Sequence, residues 1–152
     1  MQTVSAAFTA ASQAVGQRPC AYVEVSWDGR GVLADARGAA HWTDETTYVV
    51  SYNSDLRIEP PGEALVPAGD IGSAEIVLFN ASGRYNWQDT DGPSPLAAYI
   101  TGAAAFTGKL VRIWQGFDEE YVCIFTGVVA EFTPTTAEGV VRLQCRDIGW
   151  LY

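Results

Sequence analysis

Apolar and polar residues alternate along Ala21-Tyr-Val-Glu-Val-Ser-Trp27, with Val23, Val25 and Trp27 on one side and Tyr22, Glu24 and Ser26 on the other. A period of two marks a half-buried strand, and this stretch is the first predicted one. Thr46-Thr-Tyr-Val-Val-Ser-Tyr52 resumes strand composition, and Leu56-Arg-Ile58 then runs into Glu59-Pro-Pro-Gly62, where two prolines bar a central strand. Further strands are predicted over 74–79, 109–115, 121–131 and 139–146, with Phe117–Glu120 and Thr133–Gly139 as the turns between the last three. Asp28-Gly-Arg-Gly31 closes the first strand, and residues 32–47 carry too many Ala, Gly and charged residues for a core element, so they are read as a long loop.

Before the first strand, Phe8, Ala11 and Val15 share a weak helical face in an Ala-rich stretch that Pro19 ends, which predicts a short helix or arm. Residues 95–100 are read as one or two helical turns after a polar loop. About six strands joined by short polar connections describe an all-β chain. The expected fold is a partly closed small β-barrel or a two-sheet antiparallel sandwich, with residues 1–20 as the arm and 21–152 as a single β domain.

Composition fits this reading. In 152 residues there are 15 Gly and 7 Pro, a turn-rich content suited to a β protein with one core. The net charge of -9 argues against a chain that wraps nucleic acid through its phosphates. Cys20, Cys123 and Cys145 are odd in number, lack a C-x-x-C pair and lie among apolar residues, so they are read as buried, reduced thiols. The amino terminus has no basic residue before Arg18 and no apolar run of signal-peptide length, so a cytoplasmic site of synthesis is expected, and no window approaches a membrane span.

Candidate chemistry is sparse. His41, the one histidine, would have to serve any His-based zinc site or Ser-His or Cys-His pair, yet it lies in a loop without a nucleophile elbow and is read as solvent-exposed. Asp89-Thr-Asp91-Gly92 opens like a calcium loop, but Ile100 stands where the bidentate Glu is required. Asn80-Ala-Ser82 is formally a glycosylation sequon and is read as a turn, and adjacent Glu119 and Glu120 would point apart on a hairpin tip. The five tryptophans are scattered, as core and interface residues are, although together they could also build a sugar-stacking platform. No catalytic, cofactor or metal residue is assigned, and the chain is not read as an enzyme.

One stretch is more specific. Ala74-Glu-Ile-Val-Leu-Phe-Asn80-Ala-Ser-Gly83-Arg84-Tyr85 runs a strand into a turn, and it resembles the strand-turn motif of phage minor tail and tail-hub proteins. The likeness continues in order through Ser94-Pro-Leu96, a following Tyr-Ile, Gly108-Lys-Leu-Val-Arg-Ile113, Phe125-Thr-Gly-Val-Val129 and Val141-Arg-Leu-Gln-Cys-Arg-Asp147. Ala81 and Ser82 stand where family members often carry Asp, Asn86-Trp87 replaces a Ser-Pro, and residues 32–67 match nothing in the pattern.

The resemblance implies a β-barrel tube domain and a structural role in a phage or phage-like particle. Such a subunit forms a hub or baseplate ring at the tail tip, continues the tail tube and anchors spike or receptor-binding components. Its partners would be copies of itself and other tail proteins, with no specific nucleic-acid binding, no membrane insertion and contact with DNA only as it passes through a lumen. It would be assembled in the host cytoplasm. The proteins resembled usually continue past the last strand, so this chain, ending at Tyr152, fits a fragment or a minimal version. Within the motif, Asn80, Gly83, Arg84 and Tyr85 are the candidate site: Gly83 supplies a special backbone angle and Tyr85 re-enters the core. The competing reading is a carbohydrate-binding module that recognises a cell surface.

Overall fold

A computed structural model describes Ala6, residues 19–55 and 72–86, Leu96, Tyr99, and residues 103–117, 120–135 and 139–148. The strands are β1 (Pro19–Ser26), β2 (Thr43–Asp44), β3 (Val49–Asp55), β4 (Ser73–Phe79), β5 (Leu110–Phe117), β6 (Glu120–Thr135) and β7 (Val140–Asp147). They form one antiparallel sheet in the order β2-β1-β5-β6-β7-β4-β3. The chain is all-β, and the sheet is not closed into a barrel.

Its curvature follows from that order. β2 and β3 occupy opposite ends of the sheet, yet only residues 45–48 separate them in sequence. A chain extends at most about 3.3–3.6 Å per residue, so the two ends must curl to within a few strand widths of each other. The short Thr46–Tyr48 3-10 turn bridges the gap. Glu45 N–H donates to Val23 O at 2.9 Å, and Val23 N–H donates to the Thr46 hydroxyl at 3.1 Å, which moors the bridge on β1.

Alternate residues fill the enclosed side. Val23 and Val25 of β1, Val111 and Ile113 of β5, Phe125 and Val129 of β6, Val141 and Leu143 of β7, and Ile76 and Leu78 of β4 belong to one buried cluster with Trp27, Tyr85, Leu96 and Phe106. Burying each such side chain contributes about 1.5–3 kcal/mol. β6 is long enough to serve both halves of the curl: residues 120–128 pair with β5 and 127–135 with β7. The register shift between Val129 and Glu131 changes the parity of the strand. Phe132 thereby returns to the core side and stacks on Phe106 with centroids 3.7 Å apart.

Several expectations need correction. β6 does not stop at Glu131 but runs through Thr133-Pro134-Thr135: the bonds to the β5 side end at Val129, and beyond it no described strand pairs that side of β6, so the missing proline N–H can fall where no ladder bond is made. Residues 32–47 are not simply loop: they contain β2 and bury Trp42 and Glu45. Of the three cysteines, only Cys145 is buried, and burial pushes its thiol up to about 12, while Cys20 and Cys123 are half-buried; all three are free thiols. The expected arm over 1–20 lies outside the described residues apart from Ala6, Pro19 and Cys20, as do the Glu59–Gly62 turn, the Asp89–Gly92 stretch, Trp87, Glu119 and Trp150. At 95–100 only Leu96 and Tyr99 are described, and the Tyr99 N–H donates to Leu96 O at 2.8 Å.

Candidate functional site

β4 ends at Phe79, and the seven residues that follow turn twice. Gly83 N–H donates to Asn80 O at 3.0 Å, and Asn86 N–H donates to Gly83 O at 2.9 Å. Asn80 ties the two turns together: its side-chain oxygen accepts from Tyr85 N–H at 2.9 Å and its amide donates to Asn86 Oδ1 at 2.9 Å. Gly83 has φ of +72°, the left-handed region that a side chain disfavours. A residue with a free side-chain amide at one end and a left-handed glycine in the middle is what this double turn needs.

The double turn delivers Arg84 and Tyr85 to one buried carboxylate. Glu45, 0% exposed, accepts from Trp27 Nε1 at 2.7 Å, from Arg84 Nε and NH2 at 3.0 and 2.8 Å, and from Tyr85 OH at 2.6 Å. Arg84 also lies over the Tyr48 ring, 4.6 Å from its centroid. The partners of the Glu45 carboxylate come from two segments, Trp27 from just after β1 and Arg84 and Tyr85 from the turn after β4, while Glu45 itself stands at the start of the bridge. Glu45 is therefore a polar pin through the seam of the curled sheet.

The electrostatics match the geometry. Desolvation, then the Glu45 carboxylate as a charge and a hydrogen-bond acceptor, hold the Tyr85 phenol well above its ordinary range. Desolvation works against the Arg84 guanidinium, but the hydrogen bonds and charge of Glu45 outweigh it and keep the cation more firmly protonated. A carboxylate with all its lone pairs engaged is a structural group; it has no capacity left to take a proton from a substrate.

A second buried pair sits on the outer face. Glu24 and Arg112 oppose each other across β1 and β5, and Arg112 NH2 donates to Glu24 Oε2 at 2.9 Å with both side chains almost fully buried. The segment between β1 and β2 covers them. Arg112 donates to Asp35 O at 2.6 Å and Ala36 O at 3.3 Å, Gly38 N–H donates to Glu24 Oε1 at 2.7 Å, and the Trp42 ring stacks 3.7 Å from the guanidinium. Trp114 Nε1 completes the Glu24 shell at 2.9 Å. Arg112 Nε has no hydrogen-bond partner, an omission that costs roughly 1–3 kcal/mol where it occurs.

His41 is exposed and its Nδ1 lies 2.8 Å from Asp28 Oδ2. Ser26 donates to the other Asp28 oxygen at 3.2 Å, so the carboxylate stands between hydroxyl and imidazole. A Ser-His relay needs the imidazole in the middle, and this arrangement does not supply it. Desolvation raises the Asp28 carboxyl, but the Arg30 N–H, His41 and Ser26 outweigh it and leave it below its ordinary value. Among the described residues no three His, Cys, Asp or Glu side chains gather as a metal site would require.

Sequence reasoning named the turn residues but missed Glu45, Glu24, Arg112 and Trp42. A signal for two of them was present: Glu24 between Val23 and Val25, and Arg112 between Val111 and Ile113, are opposite charges flanked by apolar residues inside strands. Glu45 carried none, because its burial depends on the strand order. Against protein-family models the chain finds no match, and no curated protein matches it either.

Proposed function

We propose that this chain is a structural subunit of the tail tip of a phage or phage-like particle, a hub or baseplate ring component that continues the tail tube and anchors spike or receptor-binding parts. The observation that carries the reading is the use made of the Asn80, Gly83, Arg84 and Tyr85 turn, the stretch that most resembles tail-hub proteins. These residues are spent on pinning the seam of the curled sheet through Glu45 and none is left facing solvent as a reactive group. A part whose most specific motif is architectural suits a load-bearing ring.

Surface chemistry supports the same reading. Val50 of the edge strand β3 and Phe79 at the end of β4 are 58% and 49% exposed, and Val32 and Leu33, in the segment that covers Arg112, are exposed too. Apolar side chains at a sheet edge are what contacts between copies require. The net charge of -9 would repel passing DNA instead of holding it. The carbohydrate-binding alternative needs exposed flat rings; among the described tryptophans, Trp27 and Trp42 are buried and Trp114 is half-buried and held by Glu24. Expression of a tagged chain in cells producing particles tests the proposal: co-purification with tails supports it, and a monomer that never joins particles but binds glycan arrays would overturn it.

A further inference from the structure

The outer face carries an aromatic clamp that neither buried ion pair uses. Tyr22 of β1 and Tyr121 of β6 meet edge to face, with centroids 6.1 Å apart and ring planes at 65°. The Arg37 guanidinium sits 4.7 Å from the centre of the Tyr22 ring and 4.1 Å from that of Tyr121, inside the range of about 6 Å for cation–π attraction. Desolvation first, then the Asp44 and Glu24 charges, raise the Tyr22 phenol, and the Arg37 cation works against them. Two ring faces around one cation make the recognition site.

Arg37 is not what holds its own segment down. The backbone on either side is anchored without it, through Arg112 to Asp35 O and Ala36 O, through Gly38 N–H to Glu24, and through Trp42 Nε1, which donates to Asp35 Oδ2 at 3.2 Å. Arg37 is exposed, and the adjoining Gly38, with φ of +76°, has nothing within 4 Å of where a Cβ would stand. The side chain can therefore leave by rotation about its own bonds while the backbone stays in place.

We propose that the Tyr22–Tyr121 clamp is a binding site for the guanidinium of an arginine presented by another protein chain, with Arg37 as the resident occupant that the incoming side chain displaces. A planar, weakly hydrated guanidinium stacks between rings better than an ammonium, which sets the chemical class. The net charge of -9 favours a cationic visitor. The site stands on its own geometry and does not depend on the tail-tip reading.

The test uses N-acetyl-arginine amide as probe and the tyrosine ring signals in NMR as readout. Arg37→Gln is expected to bind the probe saturably, with a Kd on the order of tens of millimolar from two partly exposed ring contacts. Wild type is expected to bind at least about tenfold more weakly, because the resident side chain competes. Adding Tyr121→Ala to Arg37→Gln should abolish binding, and N-acetyl-lysine amide should bind less tightly than the arginine probe. A well-folded Arg37→Gln variant with no saturable shift, or wild type binding equally well, would overturn the proposal; equal binding of the lysine amide would overturn its guanidinium selectivity. Should Arg37→Gln not fold, Arg37→Lys gives the same test with a weaker resident: tighter arginine binding than wild type is expected, and none is the contrary result.

Discussion

Glu45 is the residue on which most depends. Replacing it with Ala leaves the Arg84 guanidinium, the Tyr85 hydroxyl and the Trp27 N–H facing an empty carboxylate position, and breaking a buried ion pair from one side costs about 3–5 kcal/mol. Urea denaturation should show a loss of that size, and a loss below about 1 kcal/mol would mean that the seam holds without its pin. Tyr85 adds a pH dependence with a definite sign. Its folded-state pKa lies above the ordinary 10.0, so the unfolded phenol ionises first and stability is unaffected below that value and falls above it. The expected slope approaches about 1.4 kcal/mol per pH unit from this one group, and Tyr85→Phe should flatten it in alkaline unfolding curves.

The elements were legible in the sequence to the extent that their chemistry is local. Period-two alternation located β1, and the Asn80 and Gly83 turn residues marked the end of β4, since each of those signals lies within a few residues of what it determines. The reach of β6 through Pro134 was not legible, because a proline is tolerated only where the neighbouring strand has already ended, and that depends on β5. The burial of Glu45 and Trp42 was hidden for the same reason: a charged residue in a Gly- and Ala-rich stretch looks solvated until the sheet order folds a carboxylate onto an arginine 39 residues away. Two glycines separate local from distant constraint. Gly83→Ala should cost about 1–2 kcal/mol from its left-handed backbone, since its nearest neighbour is the flexible Asn86 side chain at 3.3 Å. At Gly127 a Cβ would meet Arg146 O at 2.3 Å and the Phe125 ring at 2.6 Å, so the strands themselves must part. Gly127→Ala should therefore lower the thermal midpoint more than Gly83→Ala, and the reverse order would contradict the close approach of β6 and β7.

At the scale of the whole molecule, the fold places its polar pins inside and its apolar surplus at an edge. Self-association through that edge predicts a separable effect: Val50→Lys should weaken oligomer formation in sedimentation at least about tenfold while leaving unfolding within about 0.5 kcal/mol of wild type, because the side chain is exposed in the single chain. The proposed subunit role rests on the curled sheet, the pinned seam and the exposed apolar side chains, and it requires neighbours to cover the latter. The most direct measurement is an electron-microscopy reconstruction of particles assembled with a tagged copy of this chain. The account expects the tag as a symmetric ring at the tail tip, coaxial with the tube; particles that carry no tag, from cells in which the chain is folded and monomeric, would contradict it.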